Sequence, residues 1–203
     1  MTSSGLQANR ARASAQGTRA APVPLSVNRP NALVGGRDRE FRRLIHRLLL
    51  FSGRLEAVRE IIARQVGVTG VQYTMLMSVL HQDKGEGVSI GALAEYLEVT
   101  GAHVTSQIGK LAAAGFVRKA VNPHDGRGVL VQLTALGRAR LVAALELIRG
   151  INNRLFEGVS ASEFKALRSF SGKFVKNTEN ALNWGKRYSS TRPIERARGK
   201  IEI

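Results

Sequence analysis

Arg127 stands between Gly126 and Gly128, with Asp125 two positions before it and Val129, Val131 and Leu133 alternating after it. An arginine flanked by glycines at the tip of a β-hairpin is a guanidinium that the backbone allows close to a partner. A minor groove narrowed over A·T pairs attracts such a group. A carboxylate two residues away can hold it extended through a charge-assisted hydrogen bond. The plainer alternative is a surface hairpin carrying a stray arginine. A second set of hydrogen-bonding residues precedes it: His103, Ser106, Gln107 and Lys110. Their i, i+3, i+4 and i+7 spacing puts them on one face of a helix, with Val104, Ile108 and Leu111 on the other. Gln107 can pair bidentately with adenine, Thr105 and Ser106 can bond a base or a phosphate, and Lys110 suits guanine or a phosphate. Taken alone, the same residues also describe an ordinary solvated helix face.

No catalytic arrangement competes with these two sets. The chain has no nucleophile–base pair, no carboxylate dyad and no phosphate-binding glycine loop, so an enzyme is not indicated. His46, His81, His103 and His124 lack ligand spacing, and the absence of cysteine removes thiolate metal sites and thiol redox sensing. Neither a metal nor a cofactor is expected. Lys and Arg number 31 against 15 Asp and Glu, giving a net charge of +16 and a pI near 11.4. Such a chain attracts polyanions, and its charge is not confined to the ends. Aromatic residues make up only 5%, too few for the stacking platforms that bind single strands. No apolar run reaches the roughly 20 residues of a membrane span.

The elements that must position these groups can be read from periodicity. Residues 1–37 have no apolar period and no acidic residue, and read as a disordered basic arm. A long helical stripe follows through Phe41, Leu44, Ile45, Leu48, Phe51, Leu55, Val58 and Ile62, ending near Val66. Thr69 with Gln72 is a capping box that opens the next helix. Ser89 caps a short helix with Ile90, Leu93 and Leu97 inward, and Thr100 caps another that ends at Gly115. Two β-inclined runs then read as a hairpin, with Asp125 and Gly126 as its turn. A single helical stripe from Leu141 to Leu155 comes next, and Ser160 with Glu163 caps a last helix to about Ala181. From Trp184 the chain reads as irregular and basic. The fold class is therefore mainly α with a small β-hairpin wing. Helix, short turn, helix, hairpin is the order of a winged helix-turn-helix, whose second helix enters the major groove while the hairpin reaches the flanking minor groove.

The run "SIGALAEYLEVTGAHVTSQIGKLAAAGFVRKAVNPHDGRGVLVQLTALGR" resembles the MarR family of bacterial and archaeal transcriptional regulators. The likeness spans residues 38–184 and is strongest over 89–140. It is carried by Leu97, Thr100, Thr105, Leu111, Gly115 to Val117, Asp125, Arg127, Leu133, Thr134 and Gly137. Where the family has a basic residue beside the wing aspartate, this chain has Gly126. The resemblance implies a homodimer, with dimerisation helices over about 38–66 and 135–183, a winged helix-turn-helix over about 69–134, and a basic tail over 185–203. It implies a recognition helix reading double-stranded DNA through Thr100, Ala102, His103, Thr105, Ser106, Gln107 and Lys110. It implies a wing that contacts DNA through Arg118, Lys119, Asp125 and Arg127. It further implies a repressor in the prokaryotic cytoplasm, associated with the nucleoid, that releases DNA when a small aromatic or lipophilic acid binds. No motif marks that effector's pocket, for which Tyr73, Met75, Met77 and His46 are candidates. A nucleoid-type protein that coats DNA without sequence preference, and an RNA-associated winged helix, are the alternatives.

Overall fold

The computed structural model describes residues 24–123 and 125–191, and for residues 125–127 the backbone alone. Most of the expected basic arm, the tail beyond Thr191, and His124 lie outside the described residues. Residues 24–37, read from composition as part of a disordered arm, follow a defined path. They include a 3-10 turn at Pro30–Ala32 and a bridge between Val34 and Arg37. The reason is Asp38, a buried carboxylate that needs partners. Ser26 donates to its Oδ2 from both its backbone N–H and its hydroxyl, each at 2.7 Å. Arg42 donates to the same oxygen at 2.9 Å and to the Pro24 carbonyl at 2.8 Å. These hydrogen bonds and the Arg42 charge hold the Asp38 carboxyl well below the usual carboxylate range.

The chain divides into two compact units, up to Val142 and from Ala143. The first begins with α1 (Arg39–Val66), stopped by Gly67 at φ 94°, and α2 (Gly70–Gln82). The Thr69 capping box is formed: Gln72 N–H donates to Thr69 Oγ1 at 3.3 Å and Thr69 N–H to Gln72 Oε1 at 3.1 Å. A two-residue strand β1 (Val88–Ser89), not anticipated from the sequence, leads into α3 (Ile90–Leu97), capped by Ser89. Then come α4 (Gly101–Ala113), β2 (Val117–Asn122), β3 (Asp125–Leu133) and α5 (Ala135–Ala143). The antiparallel sheet runs β1-β3-β2. The core of this unit joins Ile62, Ala63 and Val66 of α1 to Leu76 and Val79 of α2, Leu93 of α3, Ile108 and Leu111 of α4, and Val131 of β3.

Thr134 closes the sheet onto α5. Its hydroxyl donates to the Gly115 carbonyl at 2.6 Å and accepts from Gly137 N–H at 3.0 Å. Gly137 is required by closeness: a Cβ there would lie 2.2 Å from the Phe116 carbonyl oxygen. The second unit holds α6 (Leu145–Leu155) and α7 (Ala161–Thr191), the latter opened by the Ser160–Glu163 capping box. Two points differ from the sequence reading. The stripe from Leu141 to Leu155 is split at Ala144 into α5 and α6, with no proline or glycine marking the break. The last helix continues to Thr191, since no proline interrupts the segment between Ala181 and Thr191. Neither α6 nor α7 buries a residue. No helix among the described residues is long and apolar enough to cross a membrane.

Candidate nucleic-acid interface

Helix α4 is held by one face. Val104 and Ile108 are fully buried and Leu111 nearly so. The Thr100 hydroxyl accepts from His103 N–H at 3.2 Å and fixes the N-terminus. The chain leaves through Gly115 at φ 76°. The preceding turn places Glu98 at φ 53°, a left-handed conformation uncommon for a residue with a Cβ. That turn sets the angle between α3 and α4. With the apolar face committed to the core, Thr100, Ala102, His103, Thr105, Ser106 and Lys110 are exposed, and Gln107 is half-buried. The structure thus gathers the sequence-derived recognition residues on one element. It shifts the centre of the open face from His103–Gln107 towards Ala102, Thr105 and Ser106.

The hairpin differs in detail from the expected one. Asn122 pairs with Asp125, so the turn begins at Pro123 and not at Asp125 and Gly126. Pro123 suits that position, since its φ is preset and it has no N–H to leave unpaired. Val121 pairs with Val129, so residues 126–128 have no cross-strand partner and form a bulge. Arg127 is the middle residue of that bulge, a backbone device that re-aims side chains. The side chains of Asp125 and Arg127 lie outside the described residues. Arg118 and Lys119 are exposed on β2 and alternate across its two faces.

Beneath α4 lies a cavity of about 180 Å³ lined by Arg59, Val71, Thr74, Met75, Leu97, Val99 and His103. Of the pocket residues suggested by sequence, only Met75 is among them; Tyr73, Met77 and His46 are not. Arg59 spans the joint between α1 and α2, donating to Thr74 Oγ1 at 3.2 Å and pairing with Glu56. Its Nε is buried without a partner. Glu60 accepts from Gly70 N–H with both carboxylate oxygens at 3.2 Å, capping α2 from the neighbouring helix. Sequence reading missed Arg59, which fell off the apolar stripe of its own helix. The one local signal was Gly70 at the start of α2, where a Cβ would lie 2.1 Å from Glu60 Oε1. Among the described residues no group of three His, Asp or Glu side chains is placed to hold a metal.

A capped reading helix behind a three-strand wing defines a winged helix-turn-helix protein. The family model described as "MarR family" matches residues 66–128, which run from the end of α1 through the bulge. Over this segment the chain resembles the MarR family. It is 30% identical over 97 residues to "Uncharacterized HTH-type transcriptional regulator YdcH" of Bacillus subtilis, a match covering 47% of this chain and 66% of that relative. The chain therefore spans just under two thirds of that relative's length. Among solved structures, a cysteine-to-serine mutant of Escherichia coli MarR complexed with operator DNA shares 24% identity, with TM-score 0.56, covering 67% of this chain and 94% of that one. CouR of Rhodococcus jostii bound to p-coumaroyl-CoA shares 21%, with TM-score 0.56, covering 64% and 90%. At these identities the two structures speak for the fold.

Proposed function

We propose that this chain is a dimeric, sequence-specific DNA-binding transcriptional regulator that represses from a pseudo-palindromic operator and responds to a small ligand. The observation that carries the reading is the open face of α4, polar and rigidly anchored, beside a bulged wing on a chain of net charge +16. Ala102, His103, Thr105, Ser106, Gln107 and Lys110 face base edges in the major groove. Arg118, Lys119 and the N-terminus of α4 at Thr100 hold phosphates, and Arg127, oriented by Asp125, enters the minor groove. Two-fold symmetry spaces the half-sites about one helical turn, ~10 bp, apart. Such a role puts the protein in the cytoplasm, at the nucleoid.

Dimerisation follows from exposed apolar surface. Leu49, Phe51, Phe170 and Trp184 are each between 46% and 68% exposed in the single chain. Helices with that much apolar surface require a partner. The cavity beside Val99 and His103 offers an effector an apolar wall and the Arg59 guanidinium, which suits an aromatic carboxylate. CouR, of the same fold, has been solved bound to p-coumaroyl-CoA.

The test is a fluorescence-anisotropy titration of the full chain against its own upstream duplex and a scrambled one, at several salt concentrations, with and without benzoate. Tighter binding to the upstream duplex that persists as salt rises is the expected result. Benzoate weakens it, and Arg59→Met removes the benzoate response. A second reading, a nucleoid-type protein without sequence preference, is favoured by the net charge alone. Equal binding to both duplexes that collapses together with salt selects it.

A further inference from the structure

Gly109 is an unexpected residue for the middle of α4. Glycine there costs the helix stability relative to alanine, and its φ is not positive, so no turn requires it. What it faces is Lys119. A Cβ on Gly109 would lie 3.9 Å from the Lys119 ammonium. The wing brings it there by strand alternation. Val117 and Lys119 share the inner face of β2, where Val117 is buried and Lys119 stands opposite the buried Val131. Arg118 points the other way, on the side of its partner Gln132, whose amide donates to the Gly85 carbonyl at 3.0 Å. The Lys119 stem thus crosses from the wing to the reading helix, and its charged end stops where a side chain is missing.

No carboxylate among the described residues pairs with this ammonium, and neither α4 nor β2 contains an acidic residue. Gly109 continues the exposed face of Ala102, Thr105 and Ser106 at helical spacing. These four residues are small and uncharged, and the one cation of α4, Lys110, lies at their edge. Resting on the DNA-binding reading above, we propose that Gly109 is a positioning residue: it seats Lys119 so that the ammonium meets a backbone phosphate beside the groove entered by α4. Lysine suits this task, a compact point charge on a flexible stem. Lys119 is thereby joined to the surface of α4, whereas Arg118, its neighbour in sequence, reaches its phosphate from the opposite face of β2. The seat has room for a methyl group, since 3.9 Å is ordinary van der Waals contact, and a longer side chain there would have to displace the Lys119 ammonium.

The test uses the full chain with the upstream and scrambled duplexes, and circular dichroism to confirm that each variant is folded. Lys119→Met weakens binding about tenfold on both duplexes and makes the slope of log affinity against log salt shallower by about 1, the signature of one lost phosphate contact. Arg118→Met, on the opposite face of β2, also makes the slope shallower, but its loss multiplies with that of Gly109→Leu. Gly109→Ala binds as wild type, Gly109→Leu reproduces the Lys119→Met loss, and the double variant Gly109→Leu, Lys119→Met is no worse than either single one. If Gly109→Leu binds normally, or if its loss multiplies with that of Lys119→Met, Gly109 does not seat Lys119. A wild-type protein that binds DNA but is insensitive to Lys119→Met overturns this inference and leaves the regulator reading standing. A wild-type protein that binds no duplex at all overturns both.

Discussion

At the scale of single residues, the proposed interface depends on which cations are free and how the backbone presents them. The three ion pairs among the described residues lie along α1 and its N-cap and engage Arg42, Arg43 and Arg59. Lys110, Arg118 and Lys119 are in none of them, so contact with a phosphate breaks no internal pair. Arg127 sits in the middle of a three-residue bulge bounded by two glycines, an arrangement that costs cross-strand hydrogen bonds and leaves the backbone free to approach a groove. Replacing it with alanine weakens binding to the upstream duplex by ~1–3 kcal/mol, the size of one good contact. Anisotropy titration reads this directly, and an unchanged affinity removes the minor-groove role. Both hypotheses concern a cation at the wing, yet they separate experimentally. Loss of Arg127 relaxes preference for the upstream duplex, whereas loss of Lys119 weakens both duplexes alike.

At the scale of elements, short-range hydrogen bonds set helix starts and long-range ones set their orientation. The caps at Thr69, Ser89, Thr100 and Ser160 each bond three residues ahead. The Asp38 knot is of the second kind, tying residues 24–26 to the first turn of α1. Its pH dependence has a definite sign. The folded carboxyl is held below its ordinary range, so its contribution is fully present above about pH 4–5 and is lost as the pH falls further. Asp38→Asn therefore lowers the Tm at neutral pH, and the gap to wild type narrows as the pH is lowered from about 5 to 2. Thermal melts across that range check it; a gap that is constant with pH means that the charge on Asp38 does not contribute.

At the scale of the whole molecule, the apolar surface left open is the dominant fact. In α7, 31 residues long, Phe164, Leu167, Phe170, Leu182, Trp184 and Tyr188 are all exposed, and the three aromatic pairs involving α7 lie wholly within the second unit. A chain of 22.0 kDa with such helices is expected to associate. Light scattering after size exclusion should give twice the chain mass for wild type. Phe170→Asp should give the single-chain mass, with the α4 unit still folded by circular dichroism. Operator affinity should fall more than about hundredfold, because two linked half-site contacts become one. A Phe170→Asp protein that stays dimeric removes α7 from the interface.

Much of this was legible in the sequence because it is local. Helix caps involve residues three apart, apolar stripes repeat every three or four, and the strand period is two, so the order helix, turn, helix, hairpin and the face of α4 follow from neighbours along the chain. What the tertiary structure alone decided depends on distances between segments far apart in sequence. The hairpin turn moved to Pro123 because the register of β2 on β3 is set by burial of Val117, Val131 and Leu133 in the core. Strand β1 exists because Val88 finds Val131. Arg59 reached the cavity beside His103, and Lys119 reached Gly109, only once helices and wing had packed. Such contacts leave no period in the sequence, since the packing of the core, and not the spacing of residues, determines which side chains meet.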